Sequence, residues 1–140
     1  MEPTGTAEVR ANGGRVEREA LLETDLDRAW EAISDPEVLE RWLADEVELE
    51  PLEGTPARFV VDGEERPARV ERVVEGRELT FTWEREPGRG SLVELELAPC
   101  VSGVRLRVTE TELGSAPIGS GAAWSSRLRG LSARFELVAA

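Results

Sequence analysis

The end of the chain repeats apolar side chains at steps of four, three, four and three, and this period constrains the fold more than any other feature. The repeat predicts one amphipathic helix over residues 119–138. Such a helix is about 30 Å long, so its apolar face needs a broad apolar partner. Gly130 lies inside it, where glycine costs about 1 kcal/mol relative to alanine, and either permits close approach to that partner or is merely tolerated. The repeating residues are Trp124, Leu128, Leu131, Phe135 and Val138.

Six segments between residues 45 and 108 alternate polar and apolar side chains, and they supply that partner. Turns such as Asp62-Gly63 and one near Gly76 separate them. Short turns between alternating strands predict an antiparallel meander with one buried face, onto which the terminal helix should pack. The clearest inward rows are Leu79, Phe81 and Trp83; Val93, Leu95 and Leu97; and Val104, Leu106 and Val108.

A further strand and two short helices precede the meander. Residues 16–23 are predicted to form the first strand, and Thr24 is the expected N-cap of the helix that follows. Its predicted buried face contains Leu26, Ala29, Trp30 and Ile33. The whole chain is therefore expected to be α+β, in the order β-α-α, six strands, α.

The stretch SDPEVLERWL, residues 34–43, predicts the second helix. Ser34 and Glu37 have the spacing of a capping box, and Pro36 fits the first turn. Trp42 then either fills the end of the core or gates a pocket, and we expect it to be mainly structural. The apolar stripe of this helix is Val38, Leu39, Trp42 and Leu43.

Length and charge limit the class of protein. With 140 residues, the chain fits a flexible tail over residues 1–14 and a single domain over residues 15–140. A net charge of −12 repels phosphate backbones and anionic lipids, so neither nucleic acid nor membrane is expected as a partner. No apolar run is long enough to span a bilayer, and residues 1–14 lack signal-peptide features, so the expected location is the cytoplasm.

The residue types that are absent limit the chemistry. The sequence has no histidine, lysine or tyrosine, and Cys100 is its one cysteine. Triads that depend on histidine are excluded, as are internal disulfides and multi-cysteine metal sites. We therefore expect no cofactor, no metal and no catalytic residue, and the balance favours a protein that is not an enzyme.

Three stretches of sequence carry a family resemblance: AWEAISDPEVLERWL at 29–43, ARVERVVEGRELTFTWE at 68–84 and VRLRVTETEL at 104–113. With the terminal helix, they resemble the helix-grip superfamily of START, Bet v 1 and polyketide-cyclase-like domains. The closest resemblance is to small bacterial proteins similar to the C-terminal domain of the activator of Hsp90 ATPase.

This resemblance implies a curved antiparallel sheet that grips the C-terminal helix, with the two short helices closing one end. Many relatives hold a hydrophobic small molecule between helix and sheet, whereas others are cyclases or Hsp90 co-chaperones. By the family pattern, the expected cavity walls are Trp42, Phe59, Phe81, Trp83, Leu95, Leu106, Trp124 and Leu128.

Glu110 and Glu112 raise a separate question. If the strand from Val104 stays regular, alternation places both carboxylates on its inner face, where Glu110 could orient a ligand or act as an acid or base. We expect instead that the strand ends or bulges near Thr109 and that both face water. In the alternative arrangement, Glu110 anchors the polar end of a ligand and joins the site residues.

Other motifs favour ordinary roles. The alternate carboxylates Glu46, Glu48 and Glu50 lie about 7 Å apart on a strand, too far to share one cation, and should face solvent. The glycine-rich residues 114–124 do not fit a phosphate-binding loop and are either a connector or a gate.

Three functions are compatible with these features. The first is the binding of a small hydrophobic molecule between sheet and helix. The second is a protein-interaction module related to Hsp90 co-chaperones, and the third is a cyclase or dehydratase that uses a buried carboxylate. A monomer and a homodimer are both compatible with the sequence.

Overall fold

The alternating segments form one antiparallel sheet, as their spacing predicts. In the computed structural model, residues 14–86, 89–113 and 121–139 are described, and they contain seven strands and three helices. The predicted tail over residues 1–14 lies almost wholly outside these ranges, as do residues 114–120 of the glycine-rich stretch. The elements are β1 (Arg15–Leu22), α1 (Leu26–Ser34), α2 (Pro36–Trp42), β2 (Glu46–Glu48), β3 (Pro56–Val61), β4 (Glu64–Val74), β5 (Glu78–Glu86), β6 (Arg89–Cys100), β7 (Gly103–Leu113) and α3 (Gly121–Ala139).

The sheet order is β1-β7-β6-β5-β4-β3-β2, and each neighbouring pair is antiparallel. Consecutive strands from β2 to β7 pair in sequence as a meander, whereas β1 joins the far side by pairing with β7. Helix α3 packs against β1 and α2. The predicted α+β helix-grip architecture and element order are confirmed.

The inner face of the sheet carries the rows that alternation predicts. All nine residues of the three inward rows on β5, β6 and β7 are buried. From α3, Trp124, Leu128 and Leu131 enter the same core, and Phe135 is half-buried. A Cβ added at Gly130 would meet no atom within 4 Å, so the close approach considered for this glycine is wrong and the residue is simply tolerated.

Both predicted helix caps are displaced by one residue. Asp25, not Thr24, caps α1 by accepting the backbone N–H of Arg28 at 2.9 Å. Asp35, not Ser34, caps α2 by accepting the N–H of Glu37 at 2.9 Å. The reason in α2 is Pro36, which occupies the first turn and disfavours helical geometry at the residue before it.

Trp42 binds the two short helices to each other. Its indole Nε1 donates to the backbone carbonyl of Ala32 at 2.8 Å, and the side chain is buried. The predicted turn at Asp62-Gly63 is confirmed by positive φ angles of 53° and 80°, the backbone pattern that a tight hairpin needs. Gly103 begins β7 with φ 151°, where a Cβ would lie 2.2 Å from the carbonyl oxygen of Leu22.

None of the helices among the described residues is both long and apolar enough to cross a membrane.

Candidate functional site

Strand β7 carries two carboxylates into the interior. Glu110 is 2% exposed and Glu112 is 6% exposed, so the expectation that both face water is wrong. The strand does not end near Thr109, because β1 pairs with it as far as Thr111 and β6 as far as Leu113. Glu110 pairs with Val16 of β1 and Val93 of β6, and this pairing keeps the alternation of side chains regular.

Glu110 is held by three hydrogen-bond donors. The indole Nε1 of Trp124 donates to Oε1 at 2.7 Å, and the indole Nε1 of Trp83 donates to Oε2 at 2.9 Å. The hydroxyl of Ser91 donates to the same Oε2 through a short hydrogen bond. Donors aimed at a buried carboxylate offset its loss of hydration, so this cluster of Glu110, Trp83, Ser91 and Trp124 is a satisfied polar network within an apolar core.

The sheet register explains why these four residues meet. Trp83 pairs with Ser91 across β5 and β6, and Ser91 pairs with Glu112 across β6 and β7. Glu110 lies two residues earlier on the inner face of β7. Trp124 arrives from the first turns of α3, and its ring stacks on that of Trp83 with a centroid distance of 6.2 Å. Sheet and terminal helix are therefore joined at one carboxylate.

Glu112 differs from Glu110 in having no such donors. Within residues 14–86, 89–113 and 121–139, neither of its carboxylate oxygens has a hydrogen-bond partner, and both atoms are buried. An unpaired polar group in the interior costs about 1–3 kcal/mol, and a charged one more. Buried polar atoms without partners are rare in native structures and call for an explanation.

Aromatic rings form an apolar wall beside this polar cluster. Phe59 stacks on Phe81 at a centroid distance of 4.8 Å, and both meet the ring of Trp83 edge-on at 5.4 Å. The guanidinium carbon of Arg66 lies 4.5 Å from the centroid of Trp83, within the range of a cation–π contact. One positive charge therefore lies on the same aromatic surface.

The predicted wall residues are all buried, but they do not all meet. Glu110 contacts Trp83 and Trp124 directly, and ring contacts connect Phe59 and Phe81 to the same group. Trp42 lies instead at the junction of α1 and α2. Three of the predicted residues belong to the surrounding core without a hydrogen bond to Glu110: Leu95, Leu106 and Leu128.

Sequence reasoning missed Ser91 and Arg66 and gave Glu112 the lesser role. A signal existed for the first two, because Ser91 continues the inward row of Val93 and Leu95, and Arg66 shares its face of β4 with Val70. A serine and an arginine at inward positions of apolar strands are departures that alternation alone identifies. The lack of partners around Glu112 has no such signal, since it depends on the packing of several elements.

The acidic row on β2 is paired with an arginine. Arg58 of β3 forms ion pairs with Glu46 at 3.2 Å, Glu48 at 3.0 Å and Glu65 at 2.8 Å. Hydrogen bonding to Arg58, together with its positive charge, lowers the pKa of the Glu48 carboxyl, and the same carboxylates raise the pKa of Arg58. Glu46 and Glu48 are solvent-exposed, as predicted.

A groove of about 280 Å³ lies where the three helices meet. Its floor is apolar, with Ala32, Leu131 and the half-buried Phe135. Its rim contains Arg28 from α1, Arg41 from α2 and Arg134 from α3, together with Glu31. None of these three guanidinium groups forms an ion pair or a hydrogen bond with the described part of the chain. The groove is thus locally basic on a chain of net charge −12.

Comparison with known proteins identifies relatives of this fold. A sequence model of the family described as "Activator of Hsp90 ATPase homolog 1-like protein" matches residues 23–136. No match to the sequence is found among curated proteins.

Three solved structures resemble this one. Protein MLL2253 from Mesorhizobium loti is 21% identical, with a TM-score of 0.78, and the match covers 88% of this chain and 97% of that protein. CalU16 from Micromonospora echinospora is 24% identical, with a TM-score of 0.67 and coverage of 89% and 78%. The Aha1 dimer from Colwellia psychrerythraea is 12% identical, with a TM-score of 0.71 and coverage of 88% and 96%. These likenesses establish a shared fold.

Proposed function

The chain belongs to the family of activator of Hsp90 ATPase homolog 1-like proteins, and we propose that it binds a small, largely apolar molecule between the sheet and α3. The ligand's polar end meets Glu112. One observation carries this proposal: a buried carboxylate whose two oxygens have no partner in the described part of the chain. A ligand that supplies a donor there would relieve an energetic cost that the unliganded fold bears.

The neighbouring cluster supports the same assignment. Glu110 already accepts hydrogen bonds from three donors. Its role is therefore to position Trp83 and Trp124, not to bind the ligand. In the alternative arrangement that the sequence left open, Glu110 is the anchor; we assign that role to Glu112 instead. The rings of Phe59, Phe81 and Trp83 pack on one another with no accessible surface, so they would separate to receive the apolar body of the ligand. Ligand pockets combine such apolar walls with a few polar groups.

Native mass spectrometry of the purified protein tests this proposal. We expect a fraction of the protein to retain a bound molecule that is released on denaturation and extracts into organic solvent. The variant Glu112→Leu should retain much less of it, whereas Glu50→Leu, which changes an exposed glutamate, should retain as much as the wild type. A retained mass that is equal in all three proteins would contradict the proposal.

A second candidate function is protein interaction through the groove where the three helices meet. The supporting observation is its chemistry: an apolar floor and three arginines that form no ion pair with any described residue suit an acidic peptide with an apolar side chain. The protein of the same fold from Colwellia is a dimer, so one protein of this fold contacts a second chain.

Fluorescence anisotropy with a labelled peptide of alternating glutamate and leucine tests this second function. Replacing Arg41 and Arg134 by glutamate is expected to weaken binding at least tenfold, because both changes place like charges against the peptide. Arg69→Glu, at an exposed position on β4, is the control and should have little effect. Equal affinity for the groove variant and the control would exclude the groove as the binding surface.

A further inference from the structure

The charges and donors around Glu112 define which ligands could bind there. We infer that the ligand's polar end is a cationic nitrogen with N–H donors, such as a protonated amine, and not a carboxylate or a phosphate. This inference rests on the proposed function, since it specifies the chemistry of the molecule that the interior would bind.

The first argument is the supply of donors. The N–H groups of Trp83 and Trp124 and the hydroxyl of Ser91 are all directed at Glu110. The single N–H of Trp83 is shared as well, since Nε1 also lies 3.1 Å from the Ser91 hydroxyl oxygen. An anionic ligand would therefore lose its hydration without gaining hydrogen bonds from this cluster.

The second argument is the supply of acceptors. An ionised carboxylate offers about four lone-pair sites, and among the described residues nothing donates to those of Glu112. A protonated primary amine has three N–H donors on a compact head. Hydrogen bonds from such a cation to a carboxylate are about twice as strong as neutral ones.

The third argument is charge. Glu110 and Glu112 are two residues apart on one face of β7, which places their backbones about 7 Å apart. The guanidinium of Arg66 over Trp83 contributes one positive charge to the same region. The guanidinium of Arg127 contributes a second, 4.8 Å from the centroid of Trp124. Both positive charges therefore lie on the two indole rings that donate to Glu110, whereas the Glu112 carboxylate has no counter-ion among the described residues. That carboxylate attracts a cation and repels an anion.

Three probes with one apolar body test the inference: 1-naphthylmethylamine, 1-naphthalenemethanol and 1-naphthoic acid. Titration calorimetry should give the amine an affinity for the wild-type protein at least tenfold higher than that of the acid. In Glu112→Gln, which keeps the size of the side chain, the affinity for the amine should fall at least tenfold and approach the affinity for the alcohol. Glu50→Gln removes the same formal charge from the surface and should retain the preference for the amine.

The outcomes separate the two proposals. Equal binding of all three probes to the wild-type protein would overturn the cationic ligand and leave interior binding intact. An amine preference that persists in Glu112→Gln would show that attraction to the acidic surface is the cause, and would also overturn the inference. Binding of none of the probes, together with no retained molecule in native mass spectrometry, would overturn both the inference and the proposed function.

Discussion

Replacing Glu110 by alanine is expected to destabilise the protein by about 3–5 kcal/mol, the typical cost of removing one partner from a buried charged network. The change leaves the indole N–H of Trp124 and the hydroxyl of Ser91 without their acceptor, and it leaves Trp83 with only its weaker bond to Ser91. It also opens a void between the sheet and α3. Chemical denaturation at neutral pH, read by tryptophan fluorescence, measures the free energy of unfolding directly.

Two further variants separate the network from simple volume loss. Trp124→Phe keeps an aromatic ring but removes one donor, and should lower the free energy of unfolding by about 1–3 kcal/mol. Glu50→Ala, at an exposed position, should change stability by no more than about 0.5 kcal/mol. If the free energy of unfolding of Glu110→Ala remained within 1 kcal/mol of the wild type, the carboxylate would not be what holds α3 to the sheet.

Replacing Glu112 by leucine should have the opposite effect and stabilise the protein. An unpartnered buried carboxylate is costly, and leucine fills similar space without a polar atom. We expect a gain of about 1–3 kcal/mol in protein freed of any bound molecule by unfolding and refolding. The same variant should lose ligand retention, so that greater stability accompanies loss of function, as is common at binding sites.

The matched control is Glu112→Gln, which removes the charge but keeps a buried polar group. Its gain in stability should be clearly smaller than that of leucine, because an amide also needs partners. A loss of more than 1 kcal/mol in Glu112→Leu would mean that the carboxylate stabilises the folded chain, and its proposed role as a vacant acceptor would then fail.

Periodicity predicts the architecture well because it shows which side of each strand and helix faces the core. The inward rows of β5, β6 and β7 and the buried face of α3 follow directly from alternation and from helical spacing. The caps are predicted less well, because Thr24 and Asp25, or Ser34 and Asp35, are adjacent residues that can each accept a backbone N–H. Only the backbone conformation decides between them.

The candidate site is less predictable from sequence, for physical reasons. Alternation alone allowed Glu110 and Glu112 to face inward, but the chemical nature of glutamate argued against burial. What makes burial of Glu110 acceptable is a set of donors from β5, β6 and α3. Trp83 and Trp124 are far apart in sequence, and nothing in their local pattern indicates that both indoles would point at one carboxylate.

The pairing of β1 with β7 affects how the site forms during folding. It joins Arg15 to Thr111 and Val16 to Glu110, so the strand of the two carboxylates is enclosed only when distant parts of the chain have met. Contacts of such long sequence separation require an unfavourable loop closure and slow the folding of a chain. A molecule that binds only to the enclosed strand would favour the closed chain by mass action, so ligand supply and folding yield should rise together.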